Sequence, residues 1–170
     1  MQLVALAPER YLGGHAIAVS PHCSVRARGG ELRRLAGDDV GFAEQAFLFV
    51  RDDVRHPWDA QDRTVTLSAS DLLREGVGLC FGKAPLLAAL LRAAGIPAGP
   101  CYQRLRDDAG ARFSLEVERL AWPVQQHQCE IDYLDVFPEP DANVVRALQN
   151  AKDMLKLRAH GLPEQLASRL

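Results

Sequence analysis

The chain has 170 residues, 48% of them apolar, with 20 basic residues against 22 acidic for a formal net charge of -2. That length and apolar content suit one domain with a sizeable core, and the balanced charge gives no electrostatic reason to expect nucleic acid or an anionic membrane as partner. The opening MQLVALAPERYL lacks a basic leader followed by a long apolar segment, and the run Leu86 to Ile96 is too short to span a bilayer, so a cytoplasmic location is expected.

Residues 3 to 35 read as short apolar pieces separated by glycines and prolines, with a brief strand at Ala16 to Val19 and a short helix from Glu31 to Ala36. His15 and His22 have no evident catalytic partner nearby and read as surface or locally satisfied groups. Four cysteines, Cys23, Cys80, Cys101 and Cys129, are widely spaced without a CxxC pair, so neither a zinc site nor a disulfide framework is expected, and no cofactor. His22 and Cys23 are adjacent, and neighbours in a chain seldom direct two ligands at one ion.

Asp38 and Asp39 then open an amphipathic segment whose apolar face is Phe42, Ala46, Phe47 and Val50, extended by Val54. It is predicted to end near His56 and Pro57, where proline cannot donate a helical bond and restricts its predecessor. His56 reads first as a structural residue at the helix exit and second as an alternative base. Trp58 reads as a core or rim plug, and Thr64 to Ser68 as a short extended element. Ser68 and Asp71 fit a reciprocal cap for a helix over Ala69 to Glu75.

Gly76 and Gly78 break that helix, Cys80 comes next, and Leu86, Leu87, Leu90 and Leu91 repeat at helical spacing until Gly95. A thiol at a helix start is favoured as thiolate by the first-turn N–H groups, whereas a buried cysteine is simply a small hydrophobe. Pro85 predicts that the regular helix begins near Gly82, where the missing N–H falls among the unpaired first-turn groups, leaving Cys80 just outside. Lys83 reads as an exposed helix cation that also favours a thiolate.

After the compact connection through Pro97 and Pro100, Cys101 to Arg106 and Arg112 to Val117 read as a hairpin, with a turn at Asp107 to Gly110. Leu120 to Asp135 is less regular and carries His127, a second alternative base. Asp141 opens a last major helix with Val144, Leu148, Ala151, Met154 and Leu155 on its apolar side and a stop at Gly161, His160 lying in its last turn. Pro163 is expected to begin a final short helix.

The segments FLFVRDDVRHPWD, SASDLLREGVGLCFGKAPLLAALLRAAGIPAGPCYQRL, RFSLEVERLAWPV and CEIDYLDVFPEP resemble bacterial transglutaminase-like proteins of the papain-like cysteine-nucleophile superfamily. The resemblance implies a cysteine nucleophile at Cys80, a base on a following strand, and an aspartate on the next strand that orients it. It also implies acyl transfer or amide hydrolysis on a protein or peptide substrate through a thioester. Relatives carry the His-Gly-Leu strand and the Asp strand after the CYQRL strand, whereas here Arg106 to Gly110 passes directly into Ala111 to Glu116.

The expected fold is therefore α+β: a shortened transglutaminase-like, papain-like domain over residues 1–170. Its core is residues 42–105, a Cys-bearing helix packs on a small antiparallel sheet and C-terminal helices, and an internal deletion lies near residues 107–112. Without the two strands, Leu87 and Leu91 are expected to be partly exposed, which makes a homodimer the natural way to cover them. The expected function is a Cys80-dependent acyl transfer or amide hydrolysis impaired by loss of the standard His and Asp. The alternative is a noncatalytic protein-binding or structural remnant.

Overall fold

A computed structural model describes residues 3–14, 22–106, 113–116, 124–125, 129–151, 153–160 and 163–167. The strand expected at Ala16 to Val19, His15 and His127 lie outside the described residues.

Helix α1 spans Cys23–Arg33, longer than the short helix expected at Glu31, and the His22 ring caps it by accepting the Ser24 N–H. Asp38 caps α2, Asp39–Leu48, by accepting from Gly41 N at 2.8 Å. Beyond Leu48 the helix does not run to His56 but loosens into a π-helical turn, Phe49–Asp53. Phe42, Ala46, Val50 and Val54 face the core as the spacing predicts. Phe47 does not: it is 49% exposed, with the Arg51 guanidinium 5.6 Å from its ring.

Helix α3, Ala69–Glu75, carries the expected reciprocal cap. Ser68 Oγ accepts from Asp71 N at 3.1 Å and donates to Asp71 Oδ2 at 2.6 Å, and this hydrogen bond holds the Asp71 carboxyl below its ordinary value. Gly76 ends α3 at a φ of +64°, where a glycine is at no steric disadvantage. Helix α4, Cys80–Ala93, begins at the cysteine rather than near Gly82. Lys83 N and Gly82 N both donate to the Leu79 carbonyl, so the first turn is already closed there, and Pro85 stands inside the helix where no N–H returns to Phe81.

The sheet has three antiparallel strands in the order β2-β1-β3, with β1 Gln103–Arg106, β2 Phe113–Glu116 and β3 Ile131–Asp132. The predicted hairpin is present in the register Arg106↔Phe113 to Gln103↔Glu116. The short β3 sits on the other side of β1 and is not foreseen by the sequence, because two residues are too few to show alternation. Where one last helix is expected there are two, α5 Ala142–Asn150 and α6 Met154–His160, and the described part of 163–167 is not helical.

Two apolar clusters hold the fold. The first joins α1, α2, α3 and one face of α4 through Val25, Phe42, Leu72, Leu86 and Leu90, and Leu87 and Leu91 pack half-buried against it. The second joins the start of α4 to Tyr102 just before β1, to the 133–137 segment and to the C-terminal helices, through Phe81, Tyr102, Tyr133, Phe137, Val144 and Leu148. Arg92, near the end of α4, ties distant segments together by donating to the carbonyls of Gly13, Ala98 and Pro138, each at 2.7 Å. Gly99 passes so close to Phe137 that a Cβ there would collide with the Phe137 carbonyl oxygen. No helix among the described residues is long and apolar enough to cross a membrane.

Candidate functional site

The approach to Cys80 is built from backbone pairing. Arg55 N donates to the Gly76 carbonyl and Gly78 N donates to the Arg55 carbonyl, both at 3.0 Å, so residues 54–56 run parallel to residues 76–78. Thr66 Oγ1 fixes the same turn from the other side by donating to the Val77 carbonyl at 3.0 Å. Two glycines let α3 come close. A Cβ at Gly78 would lie 2.6 Å from Leu72 Cδ2, and one at Gly82 would lie 2.8 Å from Leu72 Cδ1. Leu72, with no exposed surface, fills the space that a side chain at either position would need.

Cys80 is the first residue of α4, a fourteen-residue helix, and no side chain caps that end. The position puts Cys80 at the helix start, where the unpaired first-turn N–H groups favour negative charge. Its surroundings oppose that benefit. Cys80 is 6% exposed and belongs to the second apolar cluster, with Leu79, Phe81 and Tyr102. Charge in such a setting is disfavoured by desolvation.

Tyr102 is the neighbour that sequence reasoning missed. Its hydroxyl accepts the Asp141 N–H at 2.9 Å and its ring meets Phe137 edge-on at 5.3 Å. Burial pushes its phenol well above the ordinary tyrosine value; the Asp141 N–H pulls the other way, while the charges of Asp141, Cys80 and Cys101 add to the rise. Asp141 in turn caps α5, accepting from Asn143 N at 2.9 Å and Val144 N at 3.4 Å. Its second oxygen accepts from Ala167 N at 2.8 Å. A carboxylate so engaged is a structural clamp. An aromatic next to Cys101 and an acid before a helix are both ordinary features in sequence, and only the long-range bond between them reveals the pairing.

Of the other sequence-predicted residues, His56 is half-buried, its ring edge-on to Trp58 at 5.1 Å. Trp58 is 52% exposed, which rules out the core alternative of the expected core or rim plug. Lys83 Nζ donates to the Arg51 carbonyl at 3.1 Å, beside Asp52. That carboxyl is held below its ordinary value chiefly by its hydrogen bond to Arg51, with Lys83 adding to the effect. Cys101 is half-buried, and Cys23 and Cys129 are exposed. His22 Nδ1 stands 3.7 Å from Cys23 Sγ in its role as helix cap. Among the described residues no group of three or more His, Cys, Asp or Glu side chains is placed to hold a metal ion.

Two open concavities lie elsewhere. One is lined by Glu9, Arg10 and residues 137–142, the other by Arg28, Phe49, Asp53 and the α3 face, and neither includes Cys80.

Compared with known families, residues 26–149 match the family model described as the transglutaminase-like superfamily. No curated protein and no solved structure matches the chain.

Proposed function

The chain belongs to the transglutaminase-like superfamily, and from that premise we propose that it is a shortened member in which Cys80 keeps the nucleophile's place while acyl transfer or amide hydrolysis is impaired. In such chemistry the thiolate attacks an acyl carbonyl, the leaving amine takes a proton, and a thioester remains until water or a second amine releases it. A base must take the thiol proton and return it to the amine. The observation that carries the reading is the hairpin. Arg106 pairs with Phe113, so β1 is followed by β2 across residues 107–112 alone, with no room for two further strands bearing a base and its orienting acid. His56 and His127 are the bases left to this reading.

The burial of Cys80 favours a second reading, a noncatalytic protein-binding or structural module in which the sulfur is a small hydrophobe of the second cluster. One experiment separates the two. The native protein is alkylated over a range of pH and each cysteine is followed by mass spectrometry, alongside an assay for transfer of a glutamine-peptide acyl group to a soluble amine. Impaired catalysis gives slow turnover that is lost in Cys80→Ala, with Cys80 labelled in the native state along a depressed thiol titration. The noncatalytic reading gives no turnover and a Cys80 that labels only on unfolding, while Cys23 and Cys129 label at once. Turnover at the rate of a complete triad enzyme overturns both.

A further inference from the structure

The connection between the π-turn and α3 is rooted in the turn that presents Cys80, and the proposed chemistry draws only His56 from it. Arg55 bonds to Gly76 and Gly78 on one side of Val77, while Thr66 Oγ1 donates to the Val77 carbonyl at 3.0 Å from the other. This is the alternation of an extended segment, whose successive backbone groups face opposite ways. Residues 76–78 therefore lie between the two ends of the loop 56–65. Since residues 54–56 run parallel to 76–78, the chain leaves Arg55 heading toward Leu79 and Cys80 and returns to Thr66 round that end. Val65 and Leu67, on the returning stem, pack half-buried against the apolar cluster that contains Cys80.

A loop closed at its base and packed by its own groups is a compact surface element of the sort that carries function. Pro57 is fully buried and anchors it. Ala60 N donates to the His56 carbonyl at 3.0 Å, Asp62 N to the Pro57 carbonyl at 2.8 Å and Gln61 N to the Trp58 carbonyl at 3.3 Å. Asp62 Oδ1 accepts from Thr64 N at 2.8 Å, and the Arg63 carbonyl accepts from Met154 N at 3.0 Å, tying the loop to the start of α6. Gln61 holds a φ of +52°, in the left-handed region that residues with a side chain seldom enter. Such positions persist where surrounding bonds fix them, and they cluster at ligand contacts. On this frame Trp58 stands half in solvent, 52% exposed, its ring braced edge-on by His56 at 5.1 Å. A large ring displayed by a fixed turn loses little freedom on binding, which makes tryptophan a frequent anchor.

Resting on the reading of Cys80 as the nucleophile's place, we infer that Trp58 is a specificity-determining residue. Its indole receives an apolar side chain of a peptide laid across the start of α4 with its acyl carbonyl at Cys80. The occupant follows from the loop's position and charge. Acyl chemistry at Cys80 brings the peptide to the end of the 76–78 segment that the loop rounds. Along the loop, Arg55 and Arg63 balance Asp59 and Asp62, so no net charge selects a charged side chain and contact with the ring decides. The side chain so chosen belongs to a neighbour of the acyl residue, because Trp58 stands at the surface and outside the apolar cluster that encloses the sulfur. Discrimination of this kind is a difference in binding between peptides that share one acyl group.

The test is calorimetric binding of acetyl-Phe-Gln-amide, acetyl-Lys-Gln-amide and acetyl-Gly-Gln-amide to the full chain carrying Cys80→Ala, in which no thioester can form. The Phe peptide is expected to bind about tenfold more tightly than the other two, the worth of one aromatic contact. Trp58→Ala abolishes that preference and leaves the affinity for the Gly peptide where it was, while Trp58→Phe keeps most of it. With Trp122→Phe, Trp58 is the single tryptophan of the chain, and its emission shifts to the blue as the Phe peptide saturates. Circular dichroism confirms that each variant is folded. The absence of saturable binding overturns the inference, as do equal affinities for the three peptides, a preference for the Lys peptide, or a Phe preference that survives Trp58→Ala. An inactive Cys80 with the Trp58-dependent preference intact refutes the nucleophile alone and supports the contact. Turnover with a preference that ignores Trp58 refutes the contact alone.

Discussion

Replacing Gly82 by alanine tests whether α3 is held against the cysteine helix by lack of space. The new Cβ would stand 2.8 Å from Leu72 Cδ1, 3.1 Å from Cδ2 and 3.4 Å from Cγ, against an optimal carbon separation of about 3.5–4.0 Å. Leu72 is fully buried and cannot swing into solvent. Overpacking of this kind costs about 1–3 kcal/mol, while exchanging a helical glycine for alanine returns up to about 1 kcal/mol. The net expectation is a loss of roughly 0–2 kcal/mol. Leu72→Ala by itself costs about 2–5 kcal/mol through lost burial and a cavity, and it removes all three atoms that the new methyl would meet. In that background Gly82→Ala keeps the helical gain, fills part of the cavity and stabilises by about 1 kcal/mol. The sign of the same substitution therefore inverts, with a coupling of about 1–3 kcal/mol. Urea unfolding of the four proteins measures it. An equal effect of Gly82→Ala in both backgrounds would refute the steric account.

Two further substitutions probe the polar ties. Arg92→Met removes three charge-assisted bonds and strands the carbonyls of Gly13, Ala98 and Pro138; the expected loss in urea unfolding is about 3 kcal/mol or more, and Arg92→Lys recovers only a fraction because an ammonium cannot reach three such acceptors in one plane. Tyr102 should make the fold alkali-sensitive. Its folded-state value is raised by burial, so above about pH 10 the unfolded chain releases a proton that the native chain keeps, and stability falls by about 1.4 kcal/mol per pH unit from this group. Below that pH it contributes no slope. Tyr102→Phe should remove this component of the alkaline decline while lowering stability at neutral pH by about 1–3 kcal/mol, because the Asp141 N–H loses its acceptor; an unchanged alkaline slope in the variant would contradict the assignment.

Local chemistry is legible in the residues; distant pairing is not. The Ser68–Asp71 cap, the core face through Phe42 and Val54, the hairpin and the glycine stop at Gly76 all rest on spacings of a few positions, and each is present. The resemblance carries the superfamily. The start of α4 departs from expectation because the helix accommodates Pro85 in its interior and begins at Cys80. Spacing assigns Phe47 to the apolar face, but the helix loosens into a π-turn directly after Leu48, and Arg51 of that turn covers the ring instead. The last helix divides at Ala151, where the backbone turns extended. Tyr102 with Asp141, and Leu72 between Gly78 and Gly82, join residues whose partnership no local period encodes.

The hairpin that brings β1 straight to β2 also makes this domain a receptive scaffold. Because Arg106 and Phe113 are already paired, chain added between them alters no register elsewhere. Lengthening that connection about sixfold raises the entropic cost of closing it by only roughly 1.6 kcal/mol, within the margin of an ordinary domain. A graft carrying an imidazole strand and a carboxylate strand has a natural port of entry here, in a domain whose long helix already holds its thiol at the first residue.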